Sequence, residues 1–339
     1  MRLRSGKLGP RELEKWLFPL IRVRDRRVVI GPGPGLDAAV VDFGSRVLVL
    51  SSDPITGALE NAGWLAVNVN ANDVAVFGAE PRWFLCTIFL PEGSRGRQLQ
   101  KLVMEIQRAC EDLGVALVGG HTEVTPGIER TVVSGTMVGE APRRRLVTPT
   151  GARPGDVIIL TKSAGIEGTA VLACDRQREL TEALGPELVL KAQRFRGRIS
   201  VVREALVAAE LGASAMHDPT EGGVLGGLHE LAEASGVGFD VESSKIPVEP
   251  ETVEICGHFG IDPLRLISSG ALLITAKPGR ADAIIRNLRG IGIRASKIGR
   301  IVRDRKTRLL DGRRTKFPEQ DELWRVFGKP TPRRPPQIS

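Results

Sequence analysis

The 339-residue sequence contains no tyrosine, and aromatic residues make up only 4% of it. Its core must therefore be built from Val, Leu, Ile and Ala, and it lacks the rings of a base-stacking surface. Cysteine is scarce: Cys86, Cys110, Cys174 and Cys256 stand far apart, with no Cys-x-x-Cys pair. This excludes a zinc ribbon and the disulfide framework of a small exported domain. Cys86, Cys110 and Cys174 sit in apolar stretches, as inert buried thiols do. Only four histidines are present, and none forms His-Glu-x-x-His. His121-Thr122-Glu123 matches the His-x-Glu of zinc deaminases, but the Pro-Cys-x-x-Cys that must follow is absent. No apolar run approaches the length of a membrane span, and Met1 to Pro10 has no signal-like core. The expectation is a cytoplasmic protein with no membrane partner. The two common nucleotide fingerprints are missing as well. There is no Gly-x-x-x-x-Gly-Lys-Ser/Thr, and Gly31, Gly33 and Gly35 do not make Gly-x-Gly-x-x-Gly because the sixth position is Leu36.

What is present is a chain long enough for two domains, with 42% hydrophobic residues and a net charge of +8. The densest basic clusters are Arg22 to Arg27, Arg143 to Arg145 and Arg303 to Arg308. None is interleaved with aromatics, which argues against nucleic acid and leaves an anionic substrate or a solvated surface.

The pattern of elements is α+β. A short helix is expected over residues 11 to 20. Strands follow at Ala38 to Asp42 and Arg46 to Ser52, joined by the hairpin signal Gly44-Ser45. A helix from Asn61 to Gly78, a strand from Phe84 to Leu90, a helix from Arg97 to Leu113 and strands at Val115 to Val118 and Thr131 to Val138 complete the first half. Glu140 to Pro154 is rich in Arg, Pro, Thr and Gly and reads as a boundary. Strands at Val157 to Leu160, Gly238 to Val241, Ala271 to Thr275 and Ala295 to Ile301 make up the second half. Its helices are expected near Glu167 to Ala173, Glu187 to Lys191, Val201 to Leu211, Val224 to Ala234 and Ala281 to Leu288. This gives an N-terminal extension over 1–30, a first domain over 31–150, a second over 151–327, and a Pro- and Arg-rich tail over 328–339, expected to be disordered.

The residues that could carry chemistry are mostly carboxylates at element ends. Asp37 follows the Gly-Pro loop, Asp53 ends a strand, and Asn72-Asp73 lie in an otherwise apolar helix on which Asn68 and Asn72 share a face. Such residues form either a buried hydrogen-bond network or a set of hard oxygen ligands for Mg²⁺. Gly119-Gly120-His121-Thr122-Glu123 follows a strand, where bare backbone N–H groups and a hydroxyl can meet a phosphate. His217-Asp218-Pro219-Thr220-Glu221-Gly222-Gly223 precedes a helix, with Thr220 placed as its N-cap.

Taken together, these segments resemble the ATP-binding superfamily of aminoimidazole ribonucleotide (AIR) synthase, selenophosphate synthetase, thiamine-monophosphate kinase and the hydrogenase maturation protein HypE. The matching stretches are Leu36-Asp37-Ala38-Ala39-Val40, Ser51-Ser52-Asp53, Val69 to Ala75 with Gly78-Ala79-Glu80-Pro81, Gly119 to Glu123, Pro154-Gly155-Asp156 and Asp218 to Gly223. Asp-Pro-Thr-x-Gly-Gly is closest to the HypE version. The resemblance implies a homodimer whose N-terminal strands pair into a barrel, a C-terminal α/β domain, and ATP with Mg²⁺ between them. It implies that Asp37, Asp53 and Asp73 handle the metal and phosphates, with Asp53, Asp73 and Glu123 catalytic. Gly33, Gly35, Asn72, Gly119, Gly120, His121, Thr122, Asp218, Thr220, Glu221 and Gly222 would line the nucleotide site. Two departures stand out. The last residues given are Pro335-Pro336-Gln337-Ile338-Ser339, without the terminal Cys of HypE, and Ser268-Ser269-Gly270 replaces its late Glu-Gly element. The expected activity is therefore phosphorylation of a carbonyl or amide oxygen on an unknown acceptor, short of the full HypE reaction. The alternative is a nucleotide-binding assembly partner.

Overall fold

The computed structural model describes residues 8, 10–33, 36–56 and 61–327. Gly35 and the tail over 328–339 lie outside them. A short helix α1 (Pro10–Trp16) precedes the first sheet. That sheet contains β1 (Val28–Ile30), β2 (Ala39–Phe43), β3 (Arg46–Ser51), β4 (Pro54–Ile55), β5 (Glu80–Leu90), β6 (Ala116–Val124) and β7 (Val132–Pro142). Gly44, at φ +79°, and Ser45 make the hairpin, and Gly44 N–H donates to Asp42 Oδ1 at 2.9 Å. The strand order is β1-β2-β3-β7-β5-β6, with β4 on β7, and only the β5–β6 pair is parallel. The sheet is open, with β6 at one edge. Helices α2 (Ala62–Ala75) and α3 (Gly96–Leu113) pack on it and on each other.

The second sheet runs β14-β13-β10-β12-β8-β11-β9. Its strands are β8 (Val157–Thr161), β9 (Ala215–His217), β10 (Gly238–Val241), β11 (Leu273–Ala276), β12 (Ala295–Val302), β13 (Arg308–Leu310) and β14 (Arg313–Arg314). Its helices are α4 (Ile166–Asp175), α5 (Gln177–Leu184), α6 (Pro186–Gln193), α7 (Val202–Glu210), α8 (Gly223–Ala234), α9 (Pro250–Phe259), α10 (Pro278–Gly290) and α11 (Glu322–Phe327). Period-2 alternation sorts the buried residues of β8 onto two faces. Ile158 and Leu160 pack with Leu225 and Leu228 of α8, whereas Ile159 joins α7, α10 and the core of the first half. One apolar core thus runs from α2 into the second half. The architecture is a two-domain mixed α+β fold.

One polar clasp crosses that junction, and a second, within the second half, braces the segment it holds. Asn72 Nδ2 donates to Ile199 O at 2.9 Å, and Val201 N–H donates to Asn72 Oδ1 at 2.8 Å. From the other side, buried Lys162 donates to Arg198 O at 3.0 Å and Ser200 O at 2.6 Å, and pairs with buried Glu204 at 2.7 Å.

Candidate functional site

Thirteen residues of α2 are buried, Asn68, Asn70, Asn72 and Asp73 among them. A polar side chain in such a helix must find a partner. Asn68 donates to Trp64 O of its own helix at 2.9 Å. Asn70 fixes the main chain of Asp53, accepting from its N–H at 2.8 Å and donating to its carbonyl at 3.1 Å. The clasp described above engages both ends of the Asn72 carboxamide, one bond at each.

Asp73 is the exception. It is 2% exposed and accepts one bond, from Ser51 Oγ at 2.5 Å. Burial pushes its carboxyl well above the usual range; Asp218, Asp53 and Asp37 push it further, and the Ser51 bond opposes them. Four carboxylates from α2, two loops of the first half and the Asp218 loop of the second half therefore converge. That is a site built between the two halves of one chain. Among the described residues, no three His, Cys, Asp or Glu side chains form a ready ligand set. Mg²⁺ characteristically uses one or two carboxylates together with substrate phosphates, and that mode fits a cluster of this kind. A bound cation would relieve the repulsion on Asp73.

His217 sits beneath the cluster, 2% exposed, with Nδ1 3.2 Å from Asp37 Oδ2 and Nε2 2.9 Å from Glu230 Oε2. Burial works against its charged form, but the two carboxylates outweigh burial and hold its pKa well above the ordinary value. The imidazolium thus ties Asp37 of the first half to Glu230 on α8.

The loop from Asp218 to Gly222 connects this cluster to a second group of acids. Thr220 does not cap α8. The N-cap is Gly222, in the left-handed region at φ +84°, a conformation that disfavours a side chain. Gly222 N–H donates to Asp321 Oδ2 at 2.7 Å, and Leu323 N–H donates to Asp321 Oδ1 at 2.8 Å. Burial raises the Asp321 pKa to about 7 despite these bonds, with Glu221 adding to the rise. Glu167, at the start of α4, is also raised, to about 6, chiefly by burial; its bond with Ser269 opposes the shift and Glu221 adds to it.

Gly119 to Glu123 are placed elsewhere. The strand predicted to stop at Val118 continues to Val124, with a bulge where the register slips past Val118. The two glycines are therefore strand residues rather than a phosphate-cradling turn. Gly120 is required by a close approach, since a Cβ there would lie 1.9 Å from Cys86 O. Gly120 is opposite Cys86, Cys86 is opposite Gly135, and Gly135 N–H donates to Asp53 O at 3.0 Å. Three strand spacings of ~4.8 Å put Gly120 roughly 14 Å from Asp53. His121, Thr122 and Glu123 are exposed, and Glu123 bonds Thr125 Oγ1 at 2.7 Å and His121 Nε2 at 3.1 Å. Gly33 lies in the loop before Asp37, its carbonyl accepting from Leu36 N–H at 3.3 Å. The residue reading missed Ser51, Asn70, His217 with Glu230, Glu167 and Asp321 as site members. Of these, Ser51, Asn70 and His217 lie inside the motifs singled out above.

The site and fold define an AIR synthase-type protein in which buried carboxylates of the two halves converge. Two family models match: AIR synthase related protein, N-terminal domain, over residues 35–141, and its C-terminal domain over 153–312. The chain is 31% identical to carbamoyl dehydratase HypE of Rhizobium leguminosarum bv. viciae, over 72% of this chain and 69% of that protein. It is 33% identical to HypE of Azotobacter vinelandii, over 71% and 70%. A hydrogenase maturation protein HypE in complex with ATP superposes with TM-score 0.66 at 25% identity, covering 87% of this chain and 84% of that one. A ThiL protein complexed with AMPPCP and TMP superposes with TM-score 0.70 at 25% identity, covering 83% and 89%. The chain belongs to the AIR synthase-related family and is HypE-like within it.

Proposed function

We propose that this chain binds Mg-ATP between its two halves and transfers the γ-phosphoryl group to a carbonyl or amide oxygen of an acceptor. A nucleophile on the activated carbon then displaces phosphate. The observation that carries this reading is Asp73: a buried carboxylate, repelled by Asp37, Asp53 and Asp218, in a fold whose named relatives bind ATP or an ATP analogue. Asp37, Asp53 and Asp73 would hold the metal, which when bound neutralises charge on the phosphates. The chain's own contribution is positioning. Asn70 fixes the backbone of Asp53, Ser51 orients Asp73, and His217 holds Asp37 in place. A second copy, paired through β6, would bring Gly119 to Glu123 to the nucleotide and complete the site as a homodimer.

Calorimetric titration with ATP, with and without Mg²⁺, tests the reading. Tight binding that requires Mg²⁺ is expected. Asp53→Asn should abolish turnover while leaving the circular dichroism spectrum intact, and undiminished turnover in that variant would overturn its assignment. A second reading, a nucleotide-binding assembly partner without catalysis, is favoured by Ser269 at the late Glu-Gly element. It predicts Mg-ATP binding with no turnover in the unmodified chain.

A further inference from the structure

The cluster at Arg303 to Arg308 plays no part in the nucleotide site. Residues 303–316 contain seven basic and two acidic residues, a surplus of five in a chain whose net charge is +8. Arg303, Arg305, Lys306, Arg313, Arg314 and Lys316 are all exposed. Both acids are engaged locally. Asp304 accepts from Lys306 N–H at 3.0 Å and Thr307 Oγ1 at 2.8 Å, and Asp311 accepts from Ser243 N–H at 2.8 Å and Ser243 Oγ at 2.6 Å. The fold brings the two basic turns together, because Thr315 N–H donates to Arg308 O at 2.8 Å and Arg314 acts electrostatically on Asp304.

The backbone there is also open. β14 ends the sheet order of the described residues. Because Thr315 bonds inward, the antiparallel alternation turns the N–H and C=O of Arg314 outward. Cations along an open edge repel a second copy of the same edge and attract an acidic strand. A base-stacking ligand is disfavoured, because the nearby ring, Phe317, is half-buried and packs edge-on against His229.

We propose that the β13–β14 hairpin and the turn before it dock an acidic, extended segment of another protein, which adds to the sheet along β14.

The test uses the full chain and a labelled peptide of about eight residues alternating Glu and Val, with a Lys-Val peptide as control. Binding is read by fluorescence anisotropy across a salt series. The Glu-Val peptide should bind and the Lys-Val peptide should not. Arg313→Glu with Arg314→Glu should weaken binding by about tenfold or more, and Arg303→Ala with Arg305→Ala by less. The charge-matched control, Arg144→Glu with Arg196→Glu, should change it by less than about twofold. On peptide binding, the Arg314 amide should gain hydrogen-exchange protection. Equal weakening by the control pair would reduce the effect to net charge and overturn the proposal, as would the absence of peptide binding. Loss of RNA-duplex binding in the Arg313/Arg314 variant, with that duplex outcompeting the peptide, would make the face a nucleic-acid site instead. An unprotected Arg314 amide would rule out strand addition.

Discussion

Asp73 and Glu123 both lie in segments that carry the resemblance to this family, and their surroundings drive them in opposite directions. Asp73 is buried, and burial together with three neighbouring carboxylates pushes its pKa up. Glu123 is exposed, and its bonds to Thr125 and His121 pull its pKa down. The first region is assembled from both halves of one chain and electrostatically frustrated. The second is locally satisfied, yet it stands bare on a sheet edge. Mutual repulsion among buried carboxylates is what a cation would relieve. An edge strand whose side chains are satisfied locally keeps its outer backbone groups toward solvent.

The largest expected effect concerns how the two halves are held together. Asn72→Ala removes two buried hydrogen bonds and leaves Ile199 O and Val201 N–H without them. At ~1–3 kcal/mol for each orphaned group, the loss should be about 2–6 kcal/mol, read from the urea midpoint. An unchanged midpoint would show that the shared apolar core alone joins the halves.

Next comes the acid group behind Gly222. The Asp321 pKa rises from 3.8 to about 7 on folding, so the native state keeps a proton that the unfolded chain releases. Its contribution is fully present below the unfolded value and is lost as pH rises through the folded one. Stability should fall between about pH 4 and 7 by up to about 4 kcal/mol from this residue. Glu167, moving from 4.5 to about 6, acts in the same sense and more weakly. Asp321→Asn should flatten the pH profile of the denaturation midpoint. A profile as steep as that of the parent would assign the slope to other groups.

Much of this was legible in the sequence. The Gly44-Ser45 hairpin, the two long helices of the first half and the strand at Gly238 to Val241 follow from turn chemistry and periodicity. The convergence of Asp37, Asp53, Asp73 and Asp218 was legible only as a set of motifs, because long-range proximity leaves no local pattern. The asparagines of α2 follow the first of the two alternatives their pattern offered, a buried hydrogen-bond network, and for Asn68, Asn70 and Asn72 the partner is backbone. β6 misled. Gly119-Gly120 reads as the stop after a strand ending at Val118, whereas the strand runs on to Val124 and needs Gly120 because Cys86 O leaves no room for a side chain. α9 escaped because Pro250, which opens it at a position where proline is tolerated, reads as a break.

The adjacent glycines sharpen that last point at smaller magnitude. Gly120→Ala must push β6 away from β5 and should cost about 2 kcal/mol. At Gly119 (φ +158°) a Cβ would find its nearest neighbour, Leu85 Cδ2, at 4.0 Å, so Gly119→Ala meets backbone strain without a clash and should cost about 1 kcal/mol, less than Gly120→Ala. Equal effects would mean that the β5–β6 pairing is looser than its register indicates.

The smallest effect on stability tests the bare edge itself. Glu123 is exposed, so Glu123→Gln should move the denaturation midpoint by no more than about 0.5 kcal/mol. Its effect on Mg-ATP affinity depends on assembly. In a monomer the edge strand lies roughly 14 Å from Asp53 by strand spacing, and the substitution should leave affinity unchanged. In a dimer paired through β6, Glu123 of one copy can reach the carboxylate cluster of the other, and affinity should fall. The decisive measurement is calorimetric affinity across a protein dilution series that spans dissociation. A loss caused by Glu123→Gln that disappears on dilution would join the two regions into one site. A loss that persists in the monomer would require the edge strand and the carboxylate cluster to meet within one chain, against the strand register.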